Sequence, residues 1–479
     1  MYFKRLAYSL MGMPLLFALT AAPPVSAQTL SPSGAGTWLQ APLGESDIHS
    51  DGSQYEDASY TEALHYAVDL KIDPVTKVLS GKAKITVRTL LPATNLKFQF
   101  KKQFEVSSAL VDGKSVRSIE HSESNDLVLH LSGQVEAGSS FEVEITYSGP
   151  MVIDMDTDTE SGWLKNEAGE LLTAFDSDTL IFPSTLNASG RATSLITLTT
   201  PAGWKGVSVG KLQEETTLPD GSNQLTWNAT KELSPRSNFV AVGKFDIERS
   251  VLPDGMEMVN AFGEGTLPSA RKAVEKISET RDFLEDLFGS YPYDWIGGVF
   301  MEFGDGPAVE KAGRSLFLSL KDTFTPSVMA HEMAHTYWGD LVTGIGENGF
   351  CMSECLASYA QWRWDDRNGE ASASDTYRKW VASADADPEK WNGLGGWNAY
   401  SKGPAAFYAL SQFMGRDKLD EALRNFIREN RHNTTAPTPW SVLEAAIQAA
   451  TEKDLSEFFQ EWFHSGTRPR SEFVDFPAV

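Results

Sequence analysis

The hydrophobic period changes partway along this chain, and that change limits the folds open to it. From about residue 58 to 250, apolar residues recur at every second position. Examples are Leu96, Phe98 and Phe100; Leu127, Leu129 and Leu131; and Phe141, Val143, Ile145 and Tyr147. A strand points alternate side chains to opposite faces, so each run predicts a strand with one buried face. Clusters of Gly, Asp, Asn and Ser between the runs supply turns. Past Gly265 the period lengthens to that of a helix, in SARKAVEKISETRDFLEDLFG, which closes at Gly289. WIGGVFMEF and RSLFLSL then read as strands. TPSVMAHEMAHTYWGD reads as a helix with Thr325 as its cap, Pro326 in its first turn and Gly339 as its stop. SECLASYAQWRW is a further helix, and helical patterns dominate from residue 401 onward. With 479 residues the chain is too long for one core. The expectation is a multidomain α+β protein, with a β-domain over 58–250 and a second domain over 251–479.

Residues 1–27 read as a signal peptide. Lys4 and Arg5 precede an apolar stretch from about Leu6 to Ala22, and Val25-Ser26-Ala27 offers a small-x-small cleavage pattern before Gln28. Gly12, Pro14, Pro23 and Pro24 break that stretch, which argues against an uncleaved anchor. Residues 28–57 are rich in Ser, Gly and Asp and read as a flexible leader. The expected location is periplasmic or secreted, without stable membrane insertion. With 41 basic and 65 acidic residues the formal charge is −24, a surface that repels nucleic acid. The chain has two cysteines, Cys351 and Cys355. A disulfide across one turn of regular helix is strained, so the pairing is disfavoured, but it stays open because Cys351 can precede the helix.

His331-Glu332-Met333-Ala334-His335 is an H-E-x-x-H sequence on an expected helix. Positions i and i+4 share a face, so both imidazoles can reach one zinc ion. Glu332 stands beside the metal rather than on it, where it can take a proton from zinc-bound water. A catalytic zinc needs a third protein ligand, and Glu354, early on the next helix, is the candidate. The competing account is two core histidines on an amphipathic helix. The spacing of Glu354 and the exported context weigh against it.

HEMAHTYWGDLVT, followed by Glu354 at this spacing, resembles the gluzincin family of aminopeptidase N and leukotriene hydrolase. Members carry H-E-x-x-H, a trailing W-x-G-N/D-L-V-T and such a glutamate. The strands around 63–147, LFGSYPYDWIGGVF and LSEFFQEWFHSGTRP resemble further segments of the family. The resemblance implies an N-terminal β-sandwich-like domain followed by a thermolysin-like α/β catalytic domain with a helical lobe. It implies one zinc ion, a peptide substrate and no other cofactor. It implies removal of N-terminal residues, with His331, His335 and Glu354 as ligands and Glu332 as the catalytic base. Glu310, in PAVEKAG, occupies the position of the glutamate that binds the substrate's α-amine. Tyr400, in YSKG, matches the tyrosine that stabilises the oxyanion. An exposed strand-edge Glu310 and a core Tyr400 are the plainer accounts. Asp340 is a candidate to orient a ligand histidine.

Three departures bear on specificity. The family's G-A-M-E-N is Pro307-Ala308-Val309-Glu310-Lys311 here, and Lys311 is expected to pair with Glu310 and weaken amine binding. The β-domain stretch LLTAFDSDTLIFPS has no clear amine ligand, with Asp176 or Asp178 as substitutes. The family's W-L-N-E-G becomes Cys351-Met352-Ser353-Glu354-Cys355. Arg468 and Arg470 are either carboxylate-binding or simply solvated. The sequence ends at Val479, and the family's long C-terminal helical domain is expected to be absent or much reduced. The altered amine set leaves room for a zinc endopeptidase, another amide or epoxide hydrolase, or a catalytically silent peptide-binding relative.

Overall fold

The computed structural model describes residues 47–48, 54–55, 61–153, 162–173, 178–185, 190–266, 268–303, 305–319, 325–346, 348–431 and 438–476. The segment read as a signal peptide, 1–27, falls outside these residues, as does most of 28–57, read as a leader. Within the leader, Asp47–Ile48 pairs antiparallel with Gln54–Tyr55, a local hairpin that its composition did not suggest.

The period-two segments form strands, and their alternate residues fill the core. Leu96, Phe98 and Phe100 are buried, as are Leu127 and Leu129 opposite them and Val143 and Ile145 in the neighbouring sheet. The largest sheet has eight strands. Thr61–Asp73 runs antiparallel to Val78–Thr89 and parallel to Ala192–Thr200. A three-stranded sheet contains Ala93–Gln99, Asp126–Val135 and Ser118–His121. Chain closure needs tight approaches: a β-carbon at Gly81 would run into the ring of Tyr147, so that position tolerates only glycine.

A five-stranded sheet begins at Asp246–Val251. Its order continues through Glu257–Phe262, Trp295–Phe300 and Ser315–Ser319 to the edge strand Asp305–Val309. The three middle strands are parallel and the edge strand is antiparallel. Ten helices are described: α1 (Pro268–Val274), α2 (Ile277–Phe288), α3 (Pro326–Ala334), α4 (Gly349–Asn368), α5 (Ala373–Ala386), α6 (Lys402–Met414), α7 (Arg416–Asn430), α8 (Trp440–Ala449), α9 (Ser456–Phe463) and α10 (Ser471–Val474). This is the multidomain α+β class expected, with a β-rich N-terminal part and a helical C-terminal part. None of the described helices is long and apolar enough to cross a membrane.

Two helices differ from expectation. The first predicted helix is two, because the chain tightens to three-residue hydrogen bonds at Glu275 and Lys276; no breaking residue stands there to explain it. α3 starts as expected, with the Thr325 hydroxyl accepting from Val328 N at 3.2 Å and Pro326 leading. It ends at Ala334 rather than near Gly339, and Ser353 Oγ of α4 donates to the Trp338 carbonyl at 2.9 Å. That carbonyl therefore finds its partner in a neighbouring helix.

Buried Arg314 ties the early strands to the five-stranded sheet. Its Nη1 donates to the Ser208 and Gly210 carbonyls at 2.7 and 2.8 Å, and its guanidinium lies 4.7 Å from the Trp227 ring centre. Burial lowers its pKa to about 10, against the smaller opposing effects of Tyr291 and Glu257.

Candidate metal centre

His331 lies in the last turn of α3 and His335 caps it, one turn further on. Glu354 lies in the second turn of α4, which packs on α3. The Nε2 atoms of the two histidines are 3.3 Å apart, and Glu354 Oε2 is 3.4 Å from one and 3.5 Å from the other. Four ligands at about 2.1 Å from a tetrahedral ion stand about 3.4 Å from one another. Three sides of such a tetrahedron are therefore present, and a zinc ion fits the donor set without rearrangement.

The far nitrogens of both rings face hydroxyls of α4. His335 Nδ1 lies 2.9 Å from Ser353 Oγ and 3.1 Å from the Trp338 carbonyl; His331 Nδ1 lies 3.5 Å from Ser358 Oγ. A ring proton held on Nδ1 leaves Nε2 free to bind metal. Asp340 does not perform this task. Its carboxylate instead accepts from Ser237 Oγ at 3.1 Å, and burial together with nearby Glu310 raises its pKa to about 6. Ser353 and Ser358 were missed in the sequence. Their spacing around Glu354, one residue before and four after, is the signal that could have revealed them.

Burial would raise the Glu354 carboxyl, but His335 and His331 hold it well below the carboxylate range. Burial lowers His331. Glu332 is buried, and that burial, with Glu310 and Glu354 close by, pushes its pKa up to about 8 against the pull of His335. A divalent cation beside it would pull this value back down.

Glu310 follows the edge strand Asp305–Val309, and its carboxylate clusters with Glu332 and His335, ligating atoms within 4.8 Å of one another. This is not a second metal site, because His335 has a single Nε2 and its Nδ1 is turned to Ser353. The expected pairing of Lys311 with Glu310 is absent. Lys311 turns away, and its Nζ donates to the Arg236 carbonyl at 2.9 Å, far back in the β-rich part. Asp176 and the side chain of Asp178 lie outside the described residues.

Tyr400 stacks on His331, their ring centres 5.9 Å apart. Burial of its hydroxyl end and the carboxylates of Glu354, Glu310 and Glu332 raise its pKa, so it remains a protonated donor. It is not the core tyrosine of the plainer account, being 41% exposed. Arg468 pairs with Asp385 and Asp475, and Arg470 with Glu457, Glu461 and Glu472, so both belong to surface ion-pair networks.

The cysteines are joined, contrary to the expectation from helix strain. α4 begins at Gly349, so Cys351 lies inside its first turn, and the bridge spans the turn that delivers Ser353 and Glu354. Cys355 also packs against Gly403 in the first turn of α6, where a β-carbon would collide with its sulfur.

Two histidines one turn apart and a glutamate from the next helix match the donor types of a catalytic zinc site. Residues 62–235 match the family model for the peptidase M1 N-terminal domain. Aminopeptidase 2 of Candida albicans is 23% identical over 443 residues, covering 83% of this chain and 46% of its own. Aminopeptidase N of Oryctolagus cuniculus is 22% identical, covering 69% of this chain and 38% of its own. The chain thus spans less than half the length of these curated relatives. An M1 zinc metallopeptidase from Deinococcus radiodurans has the same fold, with a TM-score of 0.76 at 20% identity, covering 88% of this chain and 96% of its own. A variant of that enzyme with a bound Tyr-Ser-Ala substrate aligns with a TM-score of 0.74 at 21% identity, covering 86% of this chain and 95% of its own. Residues 62–235 thus resemble the peptidase M1 N-terminal domain, and the chain as a whole is similar to aminopeptidases and has the fold of an M1 zinc metallopeptidase.

Proposed function

We propose that the protein is a zinc aminopeptidase that removes N-terminal residues from peptides. The observation that carries this reading is the position of Glu310 beside Glu332 and His335, with Lys311 directed elsewhere. A carboxylate this close to the base can hold a substrate's ammonium only one residue from the bond being cut. His331, His335 and Glu354 would hold the zinc. When bound there, zinc supplies Lewis acidity, polarising a carbonyl and acidifying a water. Glu332 takes a proton from the attacking water and returns it to the departing amine. Tyr400 donates a hydrogen bond to the oxyanion as it forms. The α3–α4 pair excludes water from one side of this group, since His335, Glu332 and Glu354 are all buried.

We further propose export, on the signal-peptide pattern of residues 1–27 and the disulfide, a bond that persists in oxidising compartments. The same reading takes residues 58–250 as the β-domain and 251–479 as the catalytic domain.

The test is hydrolysis of paired peptides, identical except for a free or an acetylated N-terminus, with and without chelator. Chelator-sensitive cleavage confined to the free set is expected. Equal cleavage of the acetylated set would remove Glu310 from amine recognition and point to an endopeptidase.

A further inference from the structure

Most indoles of this protein are packed away, and Trp397 is the exception. It is 82% exposed, the most exposed large hydrophobic side chain among the described residues. Single exposed apolar residues are ordinary on protein surfaces. Trp397 differs because its position is fixed and because of where that places it.

The turn Gly396–Asn398 carries Trp397 and leads directly into Tyr400. The Trp397 carbonyl accepts from Tyr400 N at 3.3 Å and from Ser401 Oγ at 3.2 Å. Asn398 Nδ2 donates to the Asn392 carbonyl at 2.6 Å. Buried Lys402 fastens the same segment, donating to the Trp391 and Ser465 carbonyls at 2.7 and 3.1 Å. The indole is therefore held in register with Tyr400, their ring centres 6.0 Å apart. Phe350 meets the Tyr400 ring edge-on at 6.3 Å, and Tyr400 in turn lies over His331. A row of rings thus leads outward from a metal ligand and ends in an open indole.

The row also has a direction relative to the substrate. Glu310 clusters with Glu332 and His335, and the Tyr400 ring, from which the row continues to Trp397, stacks on His331. With its ammonium at Glu310, a peptide has one residue before the cut bond. An extended residue advances about 3.5 Å, so the chain beyond the bond passes onto the aromatic row.

We propose that Trp397 is a specificity-determining residue, forming an apolar platform for a large aromatic or aliphatic side chain on the residue that follows the cut bond. The proposal rests on the aminopeptidase reading for the direction of the bound peptide. A preformed indole gains contact area with little ordering, and an aromatic partner adds stacking to that area.

The test measures binding rather than turnover, on zinc-loaded protein carrying Glu332→Gln. Calorimetry compares free-amine tripeptides Ala-X-Ala with X as Phe, Leu, Gly or Asp, and N-acetylated Ala-Phe-Ala. The Phe peptide should bind about tenfold more tightly than the Gly peptide, the size expected of one ring contact plus its burial. Adding Trp397→Ala should reduce that ratio to within about twofold. A Phe-to-Gly ratio that survives Trp397→Ala, or that is absent from the start, overturns the proposal. The acetylated peptide reports separately on the amine anchor. If it binds as well as its free counterpart, the aminopeptidase reading fails, whatever the Phe-to-Gly ratio.

Discussion

At the scale of single residues, the buried cations Arg314 and Lys402 donate their hydrogen bonds to backbone carbonyls. Arg314 joins two sheets in this way, and Lys402 fastens the segment that carries Tyr400. Lys402 is fully buried, and burial lowers its pKa from 10.5 to about 8. Between about pH 8 and 10.5 the unfolded chain then binds more protons than the folded one, so Lys402 makes stability rise across that window. Below pH 8 both states carry the charge, and the full cost of burying it is present. The difference in unfolding free energy between the natural protein and Lys402→Met, from denaturant titrations at pH 7.5 and 10, should move in favour of the natural protein by at most about 3 kcal/mol. A difference that stays flat with pH would mean that the ammonium is not strained by its burial.

At the scale of elements, the turn of α4 that bears Glu354 is tied twice: by its disulfide, and by the packing of Cys355 on Gly403 of α6. Closing so short a loop constrains the unfolded chain by about 2 kcal/mol on the chain-entropy account. Replacing both cysteines by alanine should lower the unfolding free energy by that order in urea titrations, and stability equal to that of the oxidised protein would contradict this. The sequence alone pointed to α4, to its candidate ligand Glu354 and to the i, i+4 histidines of α3, because those features are local and periodic. It misjudged the ends of the helices. α4 starts at Gly349, which brings Cys351 within it, and α3 stops at Ala334, ahead of the turns in which Ser353 takes the Trp338 carbonyl. Helix ends are set by such tertiary partners, which no local pattern encodes.

At the scale of the whole molecule, the β-rich part and the helical part meet close to the centre. Lys311, next to Glu310, reaches the Arg236 carbonyl, Ser237 donates to Asp340, and Arg191 Nη2 donates to the Leu341 carbonyl at 3.2 Å. These contacts join residues 75 to 150 positions apart, which is why the sequence suggested a local Lys311–Glu310 pair instead. The proposed amine anchor, base and ligands are thus held by different parts of the chain, and their cooperation would be a property of the assembled fold. The most direct test is Glu332→Gln. The account predicts one zinc per chain, as in the natural protein, and hydrolysis of free-amine peptides reduced about a thousandfold, the range of a lost general base. Full activity with zinc still bound would contradict the account at its centre.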